Sequence, residues 1–119
     1  MILDTTLKLE AVLAGAVSAN QPEVHVDYID WNASNEKTSP ATFRVALNST
    51  TDVTILAAPV ANPKREVIGL SLYNKDTASV TATVKTDDGT TERIILKKVL
   101  ATLETLHYSK EDGFYITNA

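Results

Sequence analysis

The sequence predicts an all-β protein, an antiparallel β-sandwich or jelly roll of about eight strands with a short N-terminal helix or arm. Three observations carry this. From Glu23 onward, apolar residues recur at every second position in runs too short for helices. Turn residues interrupt those runs roughly every dozen positions, and Asp87-Asp88-Gly89-Thr90 is the strongest signal, since Asp-Gly takes the positive φ of tight hairpins. Sixteen of the 119 residues are threonine, whose branched Cβ and hydroxyl suit the wet face of a half-buried strand.

Residues 1–22 are set apart from this pattern. Leu9, Val12, Leu13, Ala16 and Val17 fall at helical spacing, Asp4 or Thr5 can serve as N-cap, and Asn20 before Pro22 supplies a stop. A short amphipathic helix or an arm is expected there. Ala11 to Asn20, AVLAGAVSAN, also has the small residues of a secretory cleavage region. Asp4 ahead of Lys8, with Glu10 inside the apolar part, favours a retained segment instead.

Residues 23–119 then form the sandwich. EVHVDYIDW sets Val24, Val26 and Tyr28 on one face and His25, Asp27 and Ile29 on the other. Asn32 to Ala41 is a polar loop with little strand-forming content. TFRVALN and TDVTILAA, separated by Ser49 and Thr50, suggest a hairpin. REVIGLSLYN presents Ile68, Leu70 and Leu72, and SVTATVK presents Val80, Ala82 and Val84 inward against Thr81, Thr83 and Lys85 outward. ERIILKKVL, ETLHY and FYITN complete the set. Ile94, Ile95 and Leu96 are apolar at successive positions, hence on both faces, so one face is expected to meet another subunit.

Composition excludes several functions. The absence of cysteine removes disulfide frameworks, thiolate zinc sites and thiol nucleophiles together. A net charge of −4 does not suit nucleic acid, which asks for a basic footprint. Nor is there an apolar run long enough for a membrane-crossing helix, so neither nucleic acid nor membrane is expected among the partners. Gly-rich phosphate loops, Gly-x-Ser-x-Gly elbows and His-Glu-x-x-His patterns are missing, so no enzyme, cofactor or metal is expected.

The remaining constellations have modest explanations. His25 and Asp27 share a strand face at a spacing that suits two metal ligands, but a third ligand is not evident, and His107 is the other histidine. Asp87, Asp88 and Glu92 lack the ligand order of a calcium loop and fit a solvated hairpin tip. Arg93, Lys97 and Lys98 fit the cationic guard of an edge strand better than a phosphate contact. Trp31, Tyr28, Tyr73, Tyr108 and Tyr115 can line a sugar-binding face, although core and interface anchoring explains them more simply.

Three stretches together resemble small virion proteins of tailed bacteriophages: LDTTLKLEAVLAGAVSANQPEVHVDYID, VTILAAPVANPKREVIGLSLYNKDTASVTATVK and DGTTERIILKKVLATLETLHYS. The resemblance covers most of the chain and contains no catalytic signature. It implies a non-enzymatic structural component of the virion, assembled in the host cytoplasm. The nearest functional analogy is a jelly-roll capsid cement protein, of the decoration or stapling kind, which clamps capsid subunits from outside. A neck, tail or fibre domain, or a glycan-binding module, is the alternative. The implied partners are the major capsid protein or other virion proteins, with a homo-oligomer, most simply a dimer and alternatively a trimer, expected from capsid symmetry. Candidate interface residues are the apolar N-terminal Ile2, Leu3, Leu7 and Leu9, together with Trp31 and Ile95, with the loop at 32–41 as a second contact able to order on binding.

Overall fold

A computed structural model describes residues 1 to 118 as ten strands. They are β1 (Ile2–Asp4), β2 (Lys8–Leu13), β3 (Glu23–Trp31), β4 (Ala41–Ala46), β5 (Val53–Leu56), β6 (Lys64–Tyr73), β7 (Val80–Asp87), β8 (Glu92–Leu100), β9 (Thr105–Ser109) and β10 (Gly113–Thr117). All pairing is antiparallel. The larger sheet runs β10-β9-β6-β3-β4 with β1 also on β6, and the smaller runs β5-β2-β7-β8. One apolar cluster joins the sheets, with Val24, Val26, Val67, Leu70, Leu72 and Leu106 from the larger facing Leu9, Ala11, Leu13, Ile55, Val80 and Val84 from the smaller. The shortest dimension of the molecule is 19 Å, about what two sheets ~10 Å apart occupy with their outer side chains.

The all-β class stands, but the N-terminal helix does not: among the described residues there is no helix, and the segment supplies β1 and β2. Lys8–Leu13 alternates, with Leu9, Ala11 and Leu13 buried in the core and Lys8, Glu10 and Val12 on the other face. Leu9 and Leu13 are four apart, a spacing that satisfies both a helical and a strand period. Ala11 decides between them, because only a strand buries it with its neighbours two positions away. The ladders to β5 and β7 on either side then satisfy the backbone. Two strands from this segment also explain why ten are found where about eight are expected.

The expected hairpin between TFRVALN and TDVTILAA is also replaced. Asn48 accepts a bond from the Thr51 amide at 2.9 Å and Ser49 takes a positive φ of 49°, so the turn exists. The strands it joins diverge, however, β4 onto β3 and β5 onto β2 in the other sheet. Buried Leu47 draws the chain across the core before the turn begins, which makes this a crossover between sheets. The tight turn at Asp88-Gly89 is present, with Gly89 at φ 90° and Asp88 accepting from the Thr90 and Thr91 amides.

Two buried polar residues close one end of the molecule. The Asn74 amide donates to the carbonyls of Ala78, Leu100 and Ala101, and its Oδ1 accepts from the Asp76 amide. Asp76 in turn accepts from the amides of Ser18, Ala19 and Asn20 at 2.8 to 3.0 Å. These bonds, from the Ser18 and Asn20 amides foremost, hold the Asp76 carboxyl down at about 2 despite its burial. The segment after β2 is thereby tied to the turn after β6.

Candidate interaction surface

Strand β8 ends the smaller sheet, hydrogen-bonded to β7 alone. Leu100 opposite Val80, and Leu96 opposite Val84, point to the core, and the register then shifts so that Ile94 faces Lys85 and Ile95 is the extra residue of a bulge. As a result Ile94, Val99 and Ile95 stand in solvent at 67%, 60% and 37% exposure. The facing edge of the larger sheet is β10, paired only with β9. Phe114 and Ile116 turn inward toward the core, while Tyr115 is exposed and stacks on His107 with centroids 5.0 Å apart. Between the two edges lies a groove of about 200 Å³ lined by Leu96, Lys98, Leu106, Phe114, Tyr115 and Ile116.

A nine-residue strand with an unpaired backbone edge and three exposed large aliphatic side chains is a template for pairing with another chain. Edges that stay free are commonly short, and β4, at six residues, is a shorter edge than β8. Its single exposed large apolar residue is Phe43, and Arg44 lies in register with His25 beside a shallow hollow of about 430 Å³. On β8 the guard is one-signed, with Arg93, Lys97 and Lys98 against Glu92.

Behind the edge, the outer face of the smaller sheet carries an ion-pair network. Lys85 bridges Asp52 at 2.9 Å and also Glu92, while Lys8 lies 3.2 Å from Glu10 and 3.8 Å from Asp87. Burial works against the Lys85 charge, but the hydrogen bonds to Glu92 and Asp52 outweigh it and raise the group to about 12. Among the described residues, Glu10, Asp87 and Glu92 are the set of three whose oxygens come close enough for a metal ion. Both lysines already neutralise that set. The acidic cluster expected at 87, 88 and 92 is thus split: Asp88 serves its own turn, and Glu10 comes from a strand distant in sequence.

The chain matches no known protein-family model, no curated protein and no solved structure. The surface must therefore be understood from its own residues.

The six interface candidates from the sequence separate into three places. Leu3 and Leu9 are wholly buried in the protein's own core and Leu7 packs against it, so these three hold the fold together. Ile95 lies on the β8 edge. Ile2, half-exposed, and Trp31 line a second hollow, on the larger sheet, with Asn35 and Lys64. The loop after Trp31 is internally bonded, since Asn32 Oδ1 accepts from the Ser34 and Glu36 amides and Thr38 donates to the Asp30 carbonyl.

Four of the five aromatics occupy different surroundings. Tyr28 and Tyr108 pack against the core, Tyr115 stacks outside with His107, and Trp31 lies under the Lys37 ammonium, 5.1 Å from the ring centroid. Among the described residues no third metal-ligating group gathers with His25 and Asp27, and Asp27 accepts from the Thr42 hydroxyl at 2.6 Å. Sequence reasoning missed the pairing of Asp30 with Arg65 at 2.7 Å, with the guanidinium 4.4 Å from the Tyr28 ring centroid. The Arg65 hydrogen bond holds the Asp30 carboxyl below its ordinary range. Its only signal in the sequence is two opposite charges 35 positions apart, which no local pattern connects.

Proposed function

We propose that the protein is a non-enzymatic structural component of a bacteriophage virion, a capsid cement protein that binds and stabilises the outer capsid lattice. The observation that supports an assembly role is the unpaired β8 edge, with Ile94, Ile95 and Val99 exposed beside the groove to β10. The virion setting comes from the sequence resemblance. The two antiparallel sheets pack in the manner of a β-sandwich, and the jelly roll is the finer form of that architecture which this reading proposes.

The partner at this edge is a foreign protein strand with acidic side chains. A second copy fits poorly. Antiparallel self-pairing centred on Ile95 sets Arg93 against Lys97 and is relieved only by Glu92 against Lys98, while centring on Leu96 sets the apolar Ile94 and Ile95 against Lys98 and Lys97. Like charges directly opposite destabilise the first register, and the second matches no apolar pair across the seam except Leu96 with itself. A homo-oligomer built for capsid symmetry therefore uses another surface, and β8 with its groove is left for the major capsid protein.

Capsids assembled without the protein test this. Purified wild-type protein is expected to bind them and raise their heat resistance, whereas a variant carrying Ile94→Lys and Val99→Lys stays folded and does not. Equal binding by both proteins removes the edge from the mechanism. Complete particles no more heat-resistant than deficient ones remove the cement role, and a copy number of one set per vertex in place of lattice-wide coverage points to a neck, tail or fibre position.

A further inference from the structure

The larger sheet overhangs the smaller beside β8. Along its path the larger sheet is five strands wide, β10-β9-β6-β3-β4, and the smaller is four, β5-β2-β7-β8. They meet at one end, where β5 approaches both β3 and β4, so at the other end β10 extends past β8. The groove of about 200 Å³ lies in that overhang. Its floor is Leu106, which is wholly buried, and its walls are Leu96, Phe114 and Ile116, interior side chains left part-exposed at the edge of the sandwich. Neighbouring strands lie about 4.8 Å apart, so a strand added to β8 enters the overhang and faces β10.

The pattern along β8 states what such a strand must carry. Beyond the bulge at Ile95 the edge is regular from Leu96 to Leu100. Leu96 and Leu100 point to the core, so Lys98 shares their face and lines the groove, while Lys97 and Val99 stand on the outer face. An added strand sets its own side chains directly opposite these, on the same faces. Opposite Leu96 an apolar side chain enters the groove and covers Phe114 and Ile116. Opposite Lys97 and Lys98 carboxylates complete an ion pair on each face, and opposite Val99 a second apolar side chain covers the exposed valine. A lysine turned inward at an edge excludes strands that have no charge to offer it, which selects the acidic strand. Within the 119 residues two neighbouring acidic pairs occur, Asp87-Asp88 between Thr86 and Gly89 and Glu111-Asp112 between Lys110 and Gly113. Neither has apolar flanks, so the occupant is a different chain.

We infer, resting on the assembly role proposed above, that the partner segment carries the tetrad apolar-acidic-acidic-apolar and joins β8 as a fifth strand of the smaller sheet, the apolar side chain opposite Leu96 seated against Phe114 and Ile116. The tetrad reads the same in both directions, so it fits a parallel or an antiparallel approach.

Short synthetic peptides with a central Val-Asp-Glu-Val, Val-Lys-Lys-Val or Ser-Asp-Glu-Ser, titrated into ¹⁵N-labelled full-length protein, are the experiment. The Val-Asp-Glu-Val peptide is expected to shift the amides of β8 and β10 saturably and to slow hydrogen exchange along Leu96–Leu100, with the other two at least about tenfold weaker. Lys97→Glu and Lys98→Glu together, both at exposed positions, should weaken that peptide by a similar factor and let Val-Lys-Lys-Val bind in its place. Should this variant misfold, the three peptides on the wild-type protein decide alone. A Val-Asp-Glu-Val peptide that leaves β8 unshifted overturns the assignment, as does equal binding of either other peptide to the wild type. Capsids assembled without the protein separate this outcome from the cement role. Wild-type protein that binds them without competition from Val-Asp-Glu-Val keeps the role and overturns the strand pattern, whereas peptide binding at β8 with no binding to capsids supports the pattern and removes the role.

Discussion

Asn74 carries more of the fold than its place in a polar turn suggests. Its side chain is fully buried and serves four backbone groups, two at the end of β8 and just after it and two in the turn before β7. Replacing it with alanine removes the donor while leaving the carbonyls of Leu100, Ala101 and Ala78 behind. Asn74→Ala is expected to cost about 2–4 kcal/mol of unfolding free energy, measured by urea denaturation. Asp76 gives a pH signature. Its native value of about 2 lies below the ordinary 3.8, so the folded state favours the carboxylate. The stabilisation is complete above the ordinary value and disappears as pH falls from about 4 to about 2. Wild-type melting temperature should therefore drop across that window by more than that of Asp76→Asn, and parallel curves for the two proteins would count against the mechanism. The break between the runs REVIGLSLYN and SVTATVK was legible in the sequence. The role of the two buried residues was not, since their partners at Ser18 to Asn20 and Leu100 to Ala101 are distant in sequence.

Elements whose residues alternate without interruption were read correctly from the sequence. β3 and β7 bury the residues their pattern assigns, Val24 and Val26 in one, Val80, Ala82 and Val84 in the other. β6 alternates only in halves, because a bulge opposite Asp27 and Tyr28 moves the inward set from Val67 to Leu70 and Leu72. β2 failed for a different reason: four apolar residues at mixed spacing fit two periods, and pairing on both edges chose the strand. Leu9→Ala should accordingly destabilise the protein by about 3 kcal/mol through the cavity it leaves in a fully buried site. Were Leu9 a lattice contact, the same change would leave the unfolding midpoint in place and weaken capsid binding. β8 gives the opposite expectation. Ile94→Thr and Val99→Thr sit on exposed positions and should change stability by no more than about 0.5 kcal/mol. They should also raise the concentration at which the purified protein begins to aggregate, because the apolar edge becomes a less effective template.

At the scale of the whole molecule, the N-terminal segment joins both sheets. β1 extends the larger sheet along β6, and β2 sits between β5 and β7 as an inner strand of the smaller. Removing residues 1–13 would strip Leu3, Leu9, Ala11 and Leu13 from the shared core and leave β5 without any partner in its sheet. An arm that reaches a neighbouring subunit could be cut without harm to the domain that bears it, whereas an inner strand cannot. The truncated chain beginning at Ala14 is therefore expected to lack the dispersed amide spectrum of a folded protein. A synthetic peptide of residues 1–13 supplied in trans should restore part of that dispersion, since the gap between β5 and β7 offers two ladders and a row of apolar sites to one strand. A truncated protein that keeps its spectrum unaided would show instead that β3, β4 and β6 to β10 suffice. The N-terminal strands would then be free to be exchanged with, or donated to, a neighbour in an assembled lattice.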